Sequence, residues 1–166
     1  MDEWFDIYSL THPSKREELQ VEGLRDSINF IRRSIIEEAD IVTTDHVTML
    51  GLSLGSAIGR CCLEARVLVT ISYADSEHRT GLFTLLASQM KIGAYVGLNG
   101  WIPFETQIEK ATLPGWRPSD LAEFFNTTLA LEIPTPTDDA QSFLKTPVFL
   151  GHTIDDEVMP TSKGCA

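Results

Sequence analysis

The chain has 166 residues, of which 43% are hydrophobic and 22% charged, and its formal net charge is -11. This length and composition are typical of one globular domain. No apolar run is long enough to cross a membrane as a helix, so we expect no stable membrane insertion. Nucleic acid and anionic membrane surfaces repel an acidic chain, and the sequence therefore predicts neither as a partner.

The N-terminal residues and the cysteines indicate where the protein works. The chain begins Met-Asp-Glu-Trp-Phe-Asp, which lacks the basic start and the apolar stretch of a secretory signal. Cys61 and Cys62 are adjacent, Cys165 stands alone, and no pair has the CxxC spacing of a metal site. We expect free thiols, buried at 61 and 62, in a cytoplasmic protein that binds no metal or cofactor.

Two elements are predicted before residue 45. Residues 4–8 are aromatic and β-branched, which favours a strand, and a polar loop follows them. Leu24, Ile28, Ile31 and Ile35 recur at helical spacing and share one face. They predict an amphipathic helix packed on a core.

The middle of the chain has the order strand, sharp turn, helix. Residues 46–50 are short and apolar and end at Gly51, as a buried strand does, and the small residues from Gly55 onward suit the start of a helix. Residues 66–90 combine a strand-like and a helix-like pattern. We interpret them as a helical connection of uncertain shape, or as an insertion.

Three further elements follow in the second half. Residues 92–98 predict a buried strand, Ser119 is placed to cap a helix that continues to Leu131, and residues 147–151 predict a last strand. Strands that alternate with helices indicate an α/β fold, a mostly parallel sheet with helices on both faces. Ligand sites in such sheets gather at the carboxyl ends of the strands.

The segment Gly51-Leu52-Ser53-Leu54-Gly55 fits the GxSxG pattern of a nucleophile elbow. A serine hydroxyl needs a strained, exposed turn, a neighbouring base and backbone donors for an oxyanion before it can attack a carbonyl. The glycines permit that turn, and the predicted strand and helix flank it as the mechanism requires. Ser53 is therefore a candidate nucleophile; the alternative is a serine that only caps the helix.

The acid and the base of a serine triad would follow the nucleophile in the chain. Asp155 and Asp156 lie after the last predicted strand, where the acid belongs, although aspartates there also form plain turns. Glu157 is a weaker candidate for the acid. None of the four histidines follows Asp156, and His152 is expected to shape its loop rather than to act as a base.

Several segments together resemble the phospholipase/carboxylesterase family, which includes the acyl-protein thioesterases, and especially its fungal members. The likeness rests on residues 4–7, 22–24, 30–33, 50–55, 93–104 and 146–152. It implies an α/β-hydrolase fold and hydrolysis of carboxylic esters or thioesters through an acyl-serine intermediate. It also implies that Ser53 is the nucleophile, Asp156 the triad acid and the Leu54 backbone N–H an oxyanion donor.

The chain departs from the family pattern at three places. Leu54 replaces a glutamine, Thr153 replaces a glycine, and both ends are missing, including the HGxGD-like loop and the Gly-His segment that bears the base. The resemblance therefore implies a single, truncated α/β-hydrolase domain over residues 1–166 without the triad histidine. Its substrate would be a small acyl ester, an acylated protein or a lysophospholipid. The alternative is an inactive remnant or a binding module that keeps the hydrolase sheet.

Overall fold

A computed structural model of the protein describes residues 4–53, 56, 91–111, 118–133, 145–151 and 153. Its helices and strands, in chain order, are α1 (Val21–Val42), β1 (Thr48–Leu52), β2 (Ala94–Leu98), α2 (Glu105–Ala111), α3 (Pro118–Thr128) and β3 (Val148–Gly151). The three strands form a parallel sheet in the order β1-β2-β3. The protein thus has a mixed α/β architecture, as the sequence predicts.

The register of the sheet separates its residues into two faces. Leu50 is paired with Val96, and Val96 with Phe149. Paired residues of parallel strands point to the same face, and their neighbours along each strand point to the other. The face opposite these three residues includes Tyr95, which is fully buried.

The core lies on the Tyr95 face. The buried side chains of α1, including Leu24 and Ile28, join those of α2 and α3, including Ile108 and Phe125, in one cluster with Tyr95. The apolar face of α1 is the one that its helical spacing predicts. The helices therefore cover this side of the sheet and hold the strands in place.

The opposite face of the sheet is apolar and exposed. Leu50 is 67% exposed, Phe149 62% and Leu52 61%. Parallel sheets are normally covered on both faces, because their strands are apolar on both. In the part of the chain that the structure describes, helices cover one face only, which differs from the expectation of helices on both.

The N-terminal segment does not form the strand predicted for residues 4–8. It packs against α1 instead, where the Ser27 hydroxyl donates a hydrogen bond to the Trp4 carbonyl oxygen. A Cβ at Gly23 would lie 2.6 Å from Phe5 Cα, so only glycine permits this close approach. Phe5 is buried against α1 and not by strand pairing, while Trp4 and Tyr8 stay exposed, which is why the prediction of a strand is wrong.

The remaining boundaries differ in smaller ways. β1 begins at Thr48 and extends through Leu52, two residues further along the chain than predicted, while β2 and β3 match their predicted positions closely. The helix predicted from Ser119 is confirmed as α3, although it begins at Pro118, so that Ser119 lies inside it and does not cap it, and it ends at Thr128 and not near Leu131. α2 was not predicted. The proposed helix start at Gly55 and residues 66–90 lie outside the described residues.

Glu17 links the segment before α1 to the start of α2. Its carboxylate accepts hydrogen bonds from the Phe104 backbone N–H at 3.1 Å and from Gln107 Nε2 at 2.7 Å. Partial burial of the carboxyl group raises the pKa of Glu17, and these two hydrogen bonds oppose that rise. Glu17 therefore connects residues that are far apart in the chain.

None of the helices in the described ranges has the length and apolar character needed to cross a bilayer.

Candidate functional site

Ser53 lies at the carboxyl end of β1, directly after the strand. Its φ of 52° is in the left-handed region, which non-glycine residues seldom adopt. The residue is exposed, and its backbone N–H donates a hydrogen bond to the Leu98 carbonyl oxygen at 2.9 Å. A sharp, strained turn with an exposed serine after a parallel strand matches the geometry expected of a nucleophile elbow, although β1 itself is largely exposed and not the buried strand predicted for residues 46–50.

Ser56, three residues after Ser53, is hydrogen bonded to the central strand β2. The Tyr95 hydroxyl donates a hydrogen bond to the Ser56 carbonyl oxygen at 2.9 Å, and both residues are fully buried. Gly51 and Gly97 are paired in the sheet and buried. Gly51 before Ser53 and Ser56 after it are thus both joined to β2, while Ser53 is exposed.

Asn99 follows β2 at the same edge of the sheet and also has a left-handed backbone, with φ 51°. Its N–H donates to the Gly151 carbonyl oxygen at 2.9 Å. Its side-chain Oδ1 accepts hydrogen bonds from the Thr153 N–H at 2.9 Å and the Thr153 hydroxyl at 3.4 Å. Ser53, Asn99 and Thr153 therefore follow three adjacent strands, and Asn99 was not among the predicted site residues.

A signal for Asn99 was present in the sequence. Asn99-Gly100 follows a buried strand, and asparagine is one of the few residues that tolerate a left-handed backbone at a strand end. Its partner Thr153 contributes a hydroxyl donor as well as a backbone N–H donor to the Asn99 contact.

The other predicted site residues lie outside the described residues. They are Leu54, His152, Asp155, Asp156 and Glu157. Their roles as oxyanion donor, loop residue and triad acid stay predictions. Cys61, Cys62 and Cys165 are also outside the described part.

Neither of the two described histidines is adjacent to Ser53 along β1, and the hydrogen bonds of both go to other residues. His46 precedes β1, and its Nδ1 hydrogen bonds to the Val42 carbonyl oxygen at 2.9 Å. The five residues of β1 separate it from Ser53, a span of about 16 Å at the usual rise per strand residue. His12 Nδ1 hydrogen bonds to the Thr11 hydroxyl at 3.0 Å. Neither is therefore placed by these contacts to take a proton from Ser53.

Two other features bear on the kind of site. An open, mainly apolar groove of about 310 Å³ lies between α1 and β1, with Phe30, Ile35 and Leu50 among its walls, and Ser53 does not line it. Among the described residues, no group of three or more His, Cys, Asp or Glu side chains could hold a metal ion. Within the described part of the chain, the polar group Ser53, Asn99 and Thr153 at the carboxyl ends of the strands therefore best matches the site predicted from the sequence.

Ser53→Gly is expected to raise the free energy of unfolding by about 1 kcal/mol, because a left-handed backbone costs a non-glycine residue roughly 1–3 kcal/mol and glycine's greater unfolded-state freedom offsets only part of the gain. Ser53→Ala is the matched control, since it keeps the Cβ and the strain. Urea titrations measure both variants. A glycine variant less stable than the alanine variant would show that the turn stores no strain.

No model of a known protein family matches the sequence, and no curated protein matches it.

Proposed function

We propose that the protein is a serine hydrolase of carboxylic esters or thioesters with an α/β-hydrolase fold, acting through an acyl intermediate on Ser53. The observation that supports this most is the exposed Ser53 at φ 52°, directly after a parallel strand, with the polar Asn99 directly after the adjacent strand β2. A serine that only capped a helix would not need a strained backbone at the strand end. The family resemblance of residues 50–55 and 93–104 supports the same proposal.

The proposed reaction has two steps. Ser53 Oγ attacks the acyl carbonyl carbon, its proton passes to a general base, and that base protonates the departing alkoxide or thiolate as the acyl bond breaks. Water then attacks the acyl-serine and releases the carboxylic acid. In this scheme the Leu54 N–H stabilises the oxyanion and the Asp156 carboxylate orients the base. The substrate is a small acyl ester, an acylated protein or a lysophospholipid.

The second candidate is an inactive remnant or a binding module that keeps the hydrolase sheet without a base. It is favoured by the distance of His46 from Ser53 along β1. Without a base the Ser53 hydroxyl is a weak nucleophile at neutral pH. The two candidates therefore differ in whether Ser53 reacts, and not in the fold.

Hydrolysis of p-nitrophenyl acyl esters and of an acyl thioester distinguishes the two. The proposal predicts release of p-nitrophenol or thiol above the rate of Ser53→Ala, which retains the Cβ and the backbone strain. If the wild-type protein and Ser53→Ala hydrolyse both substrates at the same rate, the binding-module candidate replaces the hydrolase. A faster reaction of the thioester than of the ester would favour a thioesterase.

A further inference from the structure

We propose that Asn99 is a positioning residue that ties Thr153, which follows β3, to the strand ends at which Ser53 lies. This inference rests on the proposed function, because it assigns Asn99 a role in the reactivity of Ser53. It concerns a residue that neither the GxSxG pattern nor the triad order identifies.

Asn99 and the residue before it connect the ends of all three strands. The Leu98 carbonyl oxygen accepts a hydrogen bond from the Ser53 N–H at 2.9 Å on one side. On the other side, the Asn99 N–H donates to the Gly151 carbonyl oxygen, also at 2.9 Å. A displacement of residues 98–99 would therefore move the nucleophile turn and the end of β3 together.

The Asn99 side chain extends this connection beyond β3. Oδ1 accepts two hydrogen bonds from one residue, the Thr153 N–H at 2.9 Å and the Thr153 hydroxyl at 3.4 Å. The shorter bond fixes the backbone of the first described residue past the strand. The longer bond depends on threonine and would be absent with the family's glycine.

The backbone of Asn99 explains why an asparagine suits this position. Its φ of 51° is tolerated by glycine, asparagine and aspartate far better than by other residues. Of these three, only asparagine and aspartate have a side-chain oxygen that can accept both Thr153 bonds. The position thus requires a left-handed backbone and an acceptor at the same time.

Thr153 precedes Asp156, the predicted triad acid, by three residues in the chain. In the proposed reaction this carboxylate acts on Ser53 through a base, so its distance from the nucleophile turn must be fixed. A misplacement of about 1 Å can reduce a rate by about a hundredfold. Leu98 and Asn99 together, bonded to Ser53 on one side and to Gly151 and Thr153 on the other, are suited to set that distance.

The test compares Asn99→Gly with Asn99→Asp in the full chain. Glycine tolerates the left-handed backbone but removes the acceptor, whereas aspartate keeps both. The measured quantity is the second-order rate of Ser53 labelling by a fluorophosphonate probe, with thermal unfolding midpoints recorded to show that each variant is folded. We expect Asn99→Gly to react at least about tenfold more slowly than wild type and Asn99→Asp within about threefold of it.

The outcomes distinguish failure of the role proposed for Asn99 from failure of the proposed hydrolase function. Slow labelling of folded Asn99→Gly with restoration in Asn99→Asp supports positioning, because a merely structural role would not follow the acceptor. Labelling of Asn99→Gly at the wild-type rate overturns the inference and leaves the proposed function intact. Absence of labelling in folded wild-type protein overturns the proposed function, and the role of Asn99 in reactivity with it.

Discussion

Gly93→Ala is expected to lower the free energy of unfolding by about 3 kcal/mol, the upper part of the usual range for overpacking. A Cβ at this position would lie 2.3 Å from the Asp45 carbonyl oxygen and 3.0 Å from that of Val47. Both atoms belong to the backbone, so neither can rotate away as a side chain would. The Gly93 N–H also donates to the Thr44 and Val47 carbonyl oxygens at 3.0 and 2.9 Å, and a shift would disturb these bonds.

Lys91→Ala is the matched control for this prediction. Lys91 Nζ lies 2.7 Å from Asp45 Oδ1 in an exposed ion pair that joins the same two segments, and exposed pairs contribute little to stability. Chemical denaturation should therefore show a much smaller effect for Lys91→Ala than for Gly93→Ala. Equal stability of Gly93→Ala and wild type would mean that the entry to β2 is not packed on residues 44–47.

Tyr95→Ala is expected to destabilise the protein by about 4 kcal/mol, as large-to-small changes at buried aromatic residues do. Tyr95 is among the largest fully buried side chains and lies in the middle of the helix-covered face. Its hydroxyl also donates to the Ser56 carbonyl oxygen. The substitution would therefore weaken both the core and the anchor of the turn after Ser53.

Tyr95→Phe separates these two effects, because it keeps the ring and removes only the hydroxyl. We expect a loss of about 1 kcal/mol, typical of one hydrogen bond, and slower fluorophosphonate labelling of Ser53 in the folded variant. Urea titration and labelling rates measure the two effects. If Tyr95→Phe matched wild type in both, the hydrogen bond to Ser56 would not anchor the turn.

The elements that the sequence predicts well are those with a strong local pattern. The spacing of Leu24, Ile28 and Ile35 places the buried face of α1 correctly, since helical periodicity is a property of neighbouring residues. The strand predicted at residues 4–8 is wrong because the position of Phe5 is set by Gly23, which is distant in the chain. Such a contact leaves no signal in the local pattern of aromatic and β-branched residues.

The candidate site likewise combines a residue with a local sequence pattern and contacts between residues that are distant in the chain. The left-handed turn at Ser53 could be located from two glycines and an apolar strand, since the GxSxG pattern is local. The contact of Asn99 with Thr153 joins residues 54 positions apart, so only the parallel order of β2 and β3 reveals it. The exposed face of Leu50, Leu52 and Phe149 likewise depends on sheet topology, and the predicted alternation of strands and helices did not indicate it.

The most direct test of the proposed function is the site of covalent labelling by a fluorophosphonate probe. Native protein is incubated with the probe, digested and analysed by mass spectrometry, with Ser53→Ala and heat-unfolded wild type as controls. We expect the adduct on Ser53 of the folded wild-type protein and on neither control. Folded wild-type protein that carries no adduct on Ser53 would contradict the assignment of Ser53 as an activated nucleophile.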